Sequence, residues 1–161
     1  MAGGPALPIE FSRVSGDGRL TAVIDRAHGE VCVTRFAISP QRTVTAAAED
    51  LRRRESSNIA SIGFYDTKSS QSSTQLYTEQ PQIVDAVRTW CAANNVDSLI
   101  WTALGSNFDD KARGPFSVDA AIKYLQGLNH DARGLALRYI RRAPPETATP
   151  LRRKVQEYWP G

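Results

Sequence analysis

The spacing of the apolar residues changes along this chain, and that change limits the folds open to it. Residues 9–15 (IEFSRVS) alternate between apolar and polar with a period of two, which is typical of a strand with one buried face. Residues 19–25 (RLTAVID) and 30–38 (EVCVTRFAI) predict two more strands, separated by the short turns GDG and AHG. We therefore expect an antiparallel meander that curves into a sheet or an incomplete β-barrel.

Helical spacing replaces this alternation later in the chain. One helix is predicted to begin at Ser39, with Pro40 in its first position, or at Thr43 or Thr45, and a fourth strand covers residues 59–65. Further helices are predicted to begin at Pro81, at Ser117, at Asn129 or Asp131, and at Thr149, with one short strand at residues 96–104. Strands first and helices later predict an α+β fold, with the C-terminal helices packed over the sheet.

The length of 161 residues suits one domain with its own core. We expect a single domain over residues 1–161, with a strand-rich half at 1–80 and a helix-rich half at 81–161. In the second half, the apolar spacing predicts that five large residues share one core: Trp90, Trp101, Leu104, Ile122 and Leu125.

The charge is only mildly basic, with a formal net charge of +3 and a pI near 9.1. The basic residues nevertheless form three clusters, at residues 52–54, at Arg138 with Arg141 and Arg142, and at residues 152–154. Such clusters are compatible with a surface that binds a polyanion. Arg141 and Arg142 also suit a helix C-terminus, where cations favour the helix dipole. No aromatic-interleaved or helix-turn-helix motif is present, so a nucleic-acid partner is not expected.

The common catalytic and metal-binding motifs are absent. The sequence has no GxSxG, P-loop, GxGxxG or HExxH, and its two histidines, His28 and His130, fall in predicted turns. Cys32 and Cys91 form no CxxC pair, so neither a metal nor a cofactor is predicted. The N-terminus lacks the pattern of a signal peptide and no apolar run approaches membrane-spanning length, so we expect a cytoplasmic, bacterial-type protein with no membrane partner.

Glu55 is the candidate site residue that its place in the chain suggests. Glu55 follows three arginines at the end of the first predicted helix, directly before the fourth strand. An acid at a helix end beside a strand can reach a cavity, although charges at helix ends usually form a solvated cluster.

The segments around Glu55 carry a resemblance to a known family. The order GRLTAVID, EVCVTRFAI, AAAEDLRRRE and IGFYD is similar to that of the gamma-glutamylcyclotransferase-like proteins, and closest to the ChaC-type branch. The counterparts are residues 19–25, 31–38, 51–55 and 62–65, so the resemblance covers about the first half of the chain. It implies the curved sheet or incomplete barrel of that family, whereas the second half looks like an extension of undetermined role.

The resemblance also implies a chemistry for Glu55. In that family, the Glu of the L-x-x-R-E segment takes a proton from the substrate's α-amino group, which then attacks its own γ-carbonyl and releases 5-oxoproline. The substrate class would be a small γ-glutamyl amine or amide, and we expect Glu55 to face inward with a raised pKa.

This sequence departs from the family at one point that matters for activity. The Y-G-S-L turn that holds the γ-glutamyl group has no counterpart before Ile9. We therefore expect little or no activity, unless another loop such as residues 105–107 supplies the oxyanion donors. A non-catalytic binding protein of the same fold and a basic α+β protein that binds a polyanion stay open as alternatives, as does the oligomeric state.

Overall fold

The computed structural model describes residues 3–73 and 81–160. Its contacts divide the chain into two compact units that are interleaved in sequence. Unit 1 contains the residues up to Ala6 together with Thr34–Leu104, and unit 2 contains Leu7–Val33 together with the residues from Gly105 onward. Both units combine a small antiparallel sheet with helices, so the α+β class is confirmed.

Unit 1 is built on a three-stranded sheet with β4 in the centre. Its elements are α1 (Val44–Arg54), a 3-10 turn (Ile59–Ser61), β4 (Ile62–Asp66), β5 (Gln71–Ser72), α2 (Pro81–Asn94) and β6 (Ser98–Thr102). The sheet order is β5-β4-β6, and β4 pairs with β6 from Ile62 opposite Thr102 to Asp66 opposite Ser98. Both helices pack on this sheet, and their buried face carries Ala47, Ala48, Ile83, Val84, Val87 and Cys91.

Unit 2 places a second sheet among four helices. Its elements are β1 (Ala6–Val14), β2 (Leu20–Ile24), β3 (Glu30–Val33), α3 (Phe108–Lys111), α4 (Val118–Gly127), α5 (His130–Arg142) and α6 (Pro150–Tyr158). One continuous core joins strands and helices, and its fully buried members are Phe11, Leu20, Ala121, Leu125, Ala136, Ile140, Leu151 and Val155.

The predicted meander is wrong in its strand order, because β1 and not β2 lies in the centre of this sheet. After β2 ends, the turn at residues 25–29 carries the chain back to the other edge of β1. A Cβ at Gly29 would lie 2.8 Å from the backbone of Pro8 and of Ile9, so only glycine allows this close approach. The described residues form two separate three-stranded sheets and no closed barrel.

Most predicted helix starts are confirmed by capping hydrogen bonds. Thr43, Ser117, Asn129 and Thr149 each accept a backbone N–H with their side chain at the start of a helix. The first helix therefore starts at the second of its predicted positions, and the predicted start at Ser39 is wrong. The loop predicted at residues 105–115 contains the short helix α3, and the third strand ends at Val33 rather than at Ile38. No described helix combines the length and apolar character needed to cross a bilayer.

The predicted second-half core is correct for only two of its five members. Ile122 and Leu125 are buried in unit 2. Trp90, Trp101 and Leu104 are half-buried and belong to unit 1. Order along the chain misled this prediction, because contacts join the second-half elements α2 and β6 to the first-half elements α1 and β4.

Candidate functional site

Glu55 is the C-cap of α1, and the chain turns sharply after it. The N–H of Ser57 donates to the carbonyl of Arg52, and the N–H of Ser56 donates to the carbonyl of Arg53, which together form a Schellman motif. Ser56 adopts a left-handed conformation with a φ of 48°. This motif fixes the backbone of Glu55 at the end of the helix.

The side chain of Glu55 faces solvent, so the expectation of an inward orientation is wrong. It is 45% exposed, and its only ion-pair partner among the described residues is the adjacent Arg54, at 4.0 Å. Arg52, which could have met Glu55 across one turn, instead donates to Glu49 from Nε at 2.9 Å. A carboxylate in this position has water and a guanidinium around it rather than a closed cavity.

The arginines of α1 are balanced by acids on the same helix. Arg52 pairs with Glu49, and Arg53 pairs with Asp50 at 3.5 Å. Each of these pairs joins residues three apart on one helix face. Since Arg54 lies beside Glu55, the cluster at residues 52–54 carries almost no uncompensated charge.

The loop at residues 105–107, which could have supplied oxyanion donors, is bonded to β1. Asn107 accepts the N–H of Val14 at 2.7 Å and donates to the carbonyl of Val14 at 3.1 Å. Ser106 donates to the carbonyl of Ser12 at 2.7 Å. These side chains extend the hydrogen bonding of a strand and are not available to a substrate.

The basic cluster at residues 152–154 is likewise used by the fold. Arg152 is 8% exposed, and its guanidinium donates to four backbone carbonyls, those of Pro144, Thr147 at 3.0 Å, Arg141 at 3.1 Å and Ala143 at 2.7 Å. It therefore holds the C-terminus of α5 and the following loop against α6. The neighbouring basic residues have acid partners, Arg153 with Glu30 and Lys154 with Glu157.

A shallow cavity of about 220 Å³ lies beside this cluster. It is lined by Pro145, Ala148, Arg152, Arg153 and Gln156. Arg153 pairs with Glu30, and both Nη atoms of Arg152 donate to carbonyls, so within the Arg152 guanidinium only the buried Nε has no acceptor among the described residues.

The third basic cluster is different, because α5 leaves two arginines without acid partners. Arg138 and Arg142 are exposed, four residues apart on one side of α5, and neither has an ion-pair or hydrogen-bond partner within the part of the chain that the structure describes. Leu135 and Tyr139 lie on the same side and are 54% and 38% exposed. We name these four residues the α5 outer face.

The net charge of the protein is concentrated in the unit that carries this face. Unit 1 contains seven basic and seven acidic residues, whereas unit 2 contains thirteen basic and ten acidic residues. Helix α5 alone has four arginines against the single acid Asp131 in its first turn. The positive field of the molecule therefore centres on unit 2.

The sequence analysis missed a buried acid in unit 2. Glu10 on β1 is fully buried and accepts the N–H of Phe11 at 2.8 Å and the N–H of Leu151 at 3.2 Å. Burial raises the pKa of Glu10 above its usual 4.5, although hydrogen bonds from Thr149, Phe11 and Leu151 act in the opposite direction. Glu10 thus occupies the anion-binding end of α6 with a carboxylate of the chain itself.

A second missed group surrounds Asp25 after β2. Its Oδ2 accepts the hydroxyl of Ser12 at 2.6 Å and lies 3.2 Å from Nδ1 of His28. Burial acts to raise the pKa of Asp25, but hydrogen bonds from Ser12 and His28 hold it below its usual 3.8. Because Ser12 bonds to the carboxylate and not to the imidazole, the order of contacts differs from that of a Ser-His-Asp triad.

The cysteines and histidines do not gather into a metal site. Cys32 and Cys91 are free and buried, and burial raises the pKa of both thiols. Among residues 3–73 and 81–160, no three His, Cys, Asp or Glu side chains lie where they could hold one metal ion together.

Comparison of the chain with protein-family models, curated proteins and solved structures finds no match. The assignment to the gamma-glutamylcyclotransferase-like family therefore stays a prediction.

Proposed function

We propose that this protein binds a polyanion through the α5 outer face. The observation that carries the proposal is the pair Arg138 and Arg142, the two guanidinium groups of the predicted clusters that are exposed and have no acceptor among the described residues. They stand about 6 Å apart along the helix axis, close enough to contact neighbouring charges of one polymer.

Two electrostatic features support this proposal, the unpaired guanidinium groups that would contact the polyanion and the net positive charge of unit 2 that would attract it. Exposed, unpaired guanidinium groups keep their charge available to a ligand, whereas paired groups must first lose a partner. The excess of three positive charges in unit 2 attracts an anionic chain towards the unit that carries the face.

The test measures how binding depends on salt. The probe is a fluorescein-labelled phosphodiester oligomer without bases, and its dissociation constant is followed by anisotropy at several salt concentrations. Arg138→Gln/Arg142→Gln should weaken binding and lower the slope of log K against log salt by about 1.4, since each phosphate contact on a single strand contributes about 0.7.

A matched control removes the same charge from unit 1. Arg53→Gln/Arg54→Gln also replaces two exposed arginines of one helix end, but their charge is already balanced by Asp50 and Glu55. This control should keep the wild-type slope. Equal loss in both variants would show that only net charge matters, and an unchanged Arg138/Arg142 variant would refute the proposal.

The cyclotransferase activity inferred from the resemblance stays a separate prediction, as does a cytoplasmic location. Its substrate would be a small γ-glutamyl amine, and Glu55 would be the proton carrier. An assay of 5-oxoproline release with γ-glutamyl amines and glutathione tests it against Glu55→Gln. We expect little or no release from the wild-type chain, because Glu55 is exposed beside Arg54. Robust turnover that is abolished by Glu55→Gln would contradict this expectation and assign the activity.

A further inference from the structure

The α5 outer face is not purely cationic, because an aromatic ring stands between its two arginines. Tyr139 lies three residues before Arg142 and Arg138 lies four residues before it, so each is a neighbour of Arg142 on the helix surface. Its ring packs edge-on against Phe11, with centroids 6.2 Å apart, while 38% of the residue stays exposed.

A third guanidinium lies over this aromatic ring. Arg19 directly precedes strand β2, and its guanidinium carbon lies 5.4 Å from the centre of the Tyr139 ring. The charge of Arg19 is shared with Asp17, whose Oδ2 accepts its Nε at 2.7 Å. The Tyr139 ring and the Arg19 side chain, which is 37% exposed, form a partly exposed cation–π pair beside two free cations.

We infer that the polyanion bound by this face is a single-stranded nucleic acid. The inference rests on the proposed function and adds the ligand class to it. Arg138 and Arg142 would contact phosphates, and a base would stack on the exposed side of the Arg19–Tyr139 pair. Stacking of bases on aromatic and guanidinium planes beside a cationic surface is how single strands are generally bound.

Other anionic partners would contact the arginines of this face but not its aromatic and apolar side chains. An acidic peptide would satisfy the two arginines but has no planar group for Tyr139. A duplex keeps its bases stacked inside, so that only phosphates reach a flat aromatic surface. Leu135, which is 54% exposed, adds an apolar area that suits a splayed base better than a carboxylate chain.

The experiment compares two ligands that differ only in their bases. One is a labelled oligothymidylate of about 12 nucleotides, within the usual site size of single-strand binders. The other is the base-free phosphodiester oligomer of equal length. The wild-type protein should prefer oligothymidylate by about 5- to 150-fold, which corresponds to one stacked base.

Two variants of the ring identify the contribution of stacking. Tyr139→Leu should abolish the preference for oligothymidylate, so that affinity for oligothymidylate falls more than affinity for the base-free oligomer, whereas Tyr139→Phe should retain the preference. A thermal melt of each variant accompanies the binding data, because the ring also contacts Phe11.

The outcomes separate this inference from the proposed function. Equal affinity of the wild-type protein for both oligomers, or equal losses for both in Tyr139→Leu, overturns the nucleic-acid inference while the polyanion proposal stands. Labelled polyglutamate bound as tightly as oligothymidylate also overturns it. Failure of the proposed function is seen instead when Arg138→Gln/Arg142→Gln leaves binding of the base-free oligomer unaffected.

Discussion

Helix α1 of unit 1 and helix α5 of unit 2 both end in arginines, yet they present different surfaces. In α1, Glu49 and Asp50 stand three residues before Arg52 and Arg53, so the cations are paired along the helix itself. In α5 the positions three and four residues before Arg138 and Arg142 hold no acid. The comparison teaches that the spacing of acids, and not the number of arginines, decides whether a basic cluster is available to a ligand.

The acids of the two units differ in the same way. Glu55 draws attention in the sequence because it follows three arginines, but it is a half-exposed helix cap. Glu10 lies in an ordinary strand pattern, yet it is fully buried and joins β1 to the start of α6. The raised pKa of Glu10 follows from this burial, which the sequence around it does not indicate.

The largest expected effect contrasts a buried arginine of unit 2 with an exposed one of unit 1. Arg152→Met should lower the free energy of unfolding by about 3–5 kcal/mol, since four partly buried carbonyls lose their donor and each loss costs at most about 1–3 kcal/mol where water does not replace it. Urea denaturation followed by circular dichroism measures this change.

Arg53→Met is the matched control, because its side chain is 63% exposed. It should unfold at the wild-type urea concentration within experimental error. If both variants were destabilised equally, the conclusion that Arg152 holds the C-terminus of α5 against α6 would be wrong.

Local sequence signals predicted the helices well, and long-range pairing was beyond them. Thr149 followed by Pro150 predicts a helix start because the cap and the first turn are formed by adjacent residues. The central place of β1 depends instead on Gly29 passing within contact distance of Pro8, a pairing across twenty residues. The site is also formed by a long-range contact, since no residue near Glu10 in the sequence indicates that Leu151 is its hydrogen-bond partner.

The second prediction removes the difference between the two arginine clusters. Glu49→Gln/Asp50→Asn leaves Arg52 and Arg53 without acid partners and makes α1 resemble α5. Affinity for the base-free phosphodiester oligomer should rise several-fold at low salt, and the salt slope should steepen by about 1.4. An unchanged slope would show that unpaired arginines alone do not create a binding surface.

The third prediction uses pH to compare Glu10 and Asp25, two acids of unit 2 whose pKa values are shifted in opposite directions. Because the folded-state pKa of Glu10 is raised, its favourable contribution is complete below pH 4.5 and is lost as the pH rises through the folded-state pKa. The stability of the wild-type protein relative to Glu10→Gln should therefore fall as the pH increases above 4.5. Asp25, with a lowered pKa, acts in the opposite sense and only as the pH falls below 3.8.

Urea midpoints of both proteins across this pH range measure how their difference in stability changes with pH. A constant effect of the amide in Glu10→Gln does not alter this change. A wild-type curve parallel to that of Glu10→Gln would contradict the assignment of a raised pKa to Glu10.

The smallest expected effect concerns two left-handed backbone positions, one in each unit. Gly18 in unit 2 has a φ of 82°, and a Cβ there would meet Tyr124 only at an ordinary 3.5 Å. Ser56 in unit 1 has a φ of 48° and carries a side chain in the same region. Only the serine therefore bears the conformational cost of a Cβ in this region.

Ser56→Gly should accordingly stabilise the protein by about 0.5–1 kcal/mol, because glycine is the residue that a Schellman motif favours at this position. Gly18→Ala should destabilise it by about 1 kcal/mol, because the added methyl group meets no clash but the strain of the left-handed backbone exceeds the entropy that alanine removes from the unfolded chain. Thermal unfolding of both variants under one condition gives the two values. Opposite signs of similar size would show that the two turns obey the same backbone preference, whereas a Ser56→Gly variant without added stability would mean that the flexibility of glycine in the unfolded chain cancels the gain.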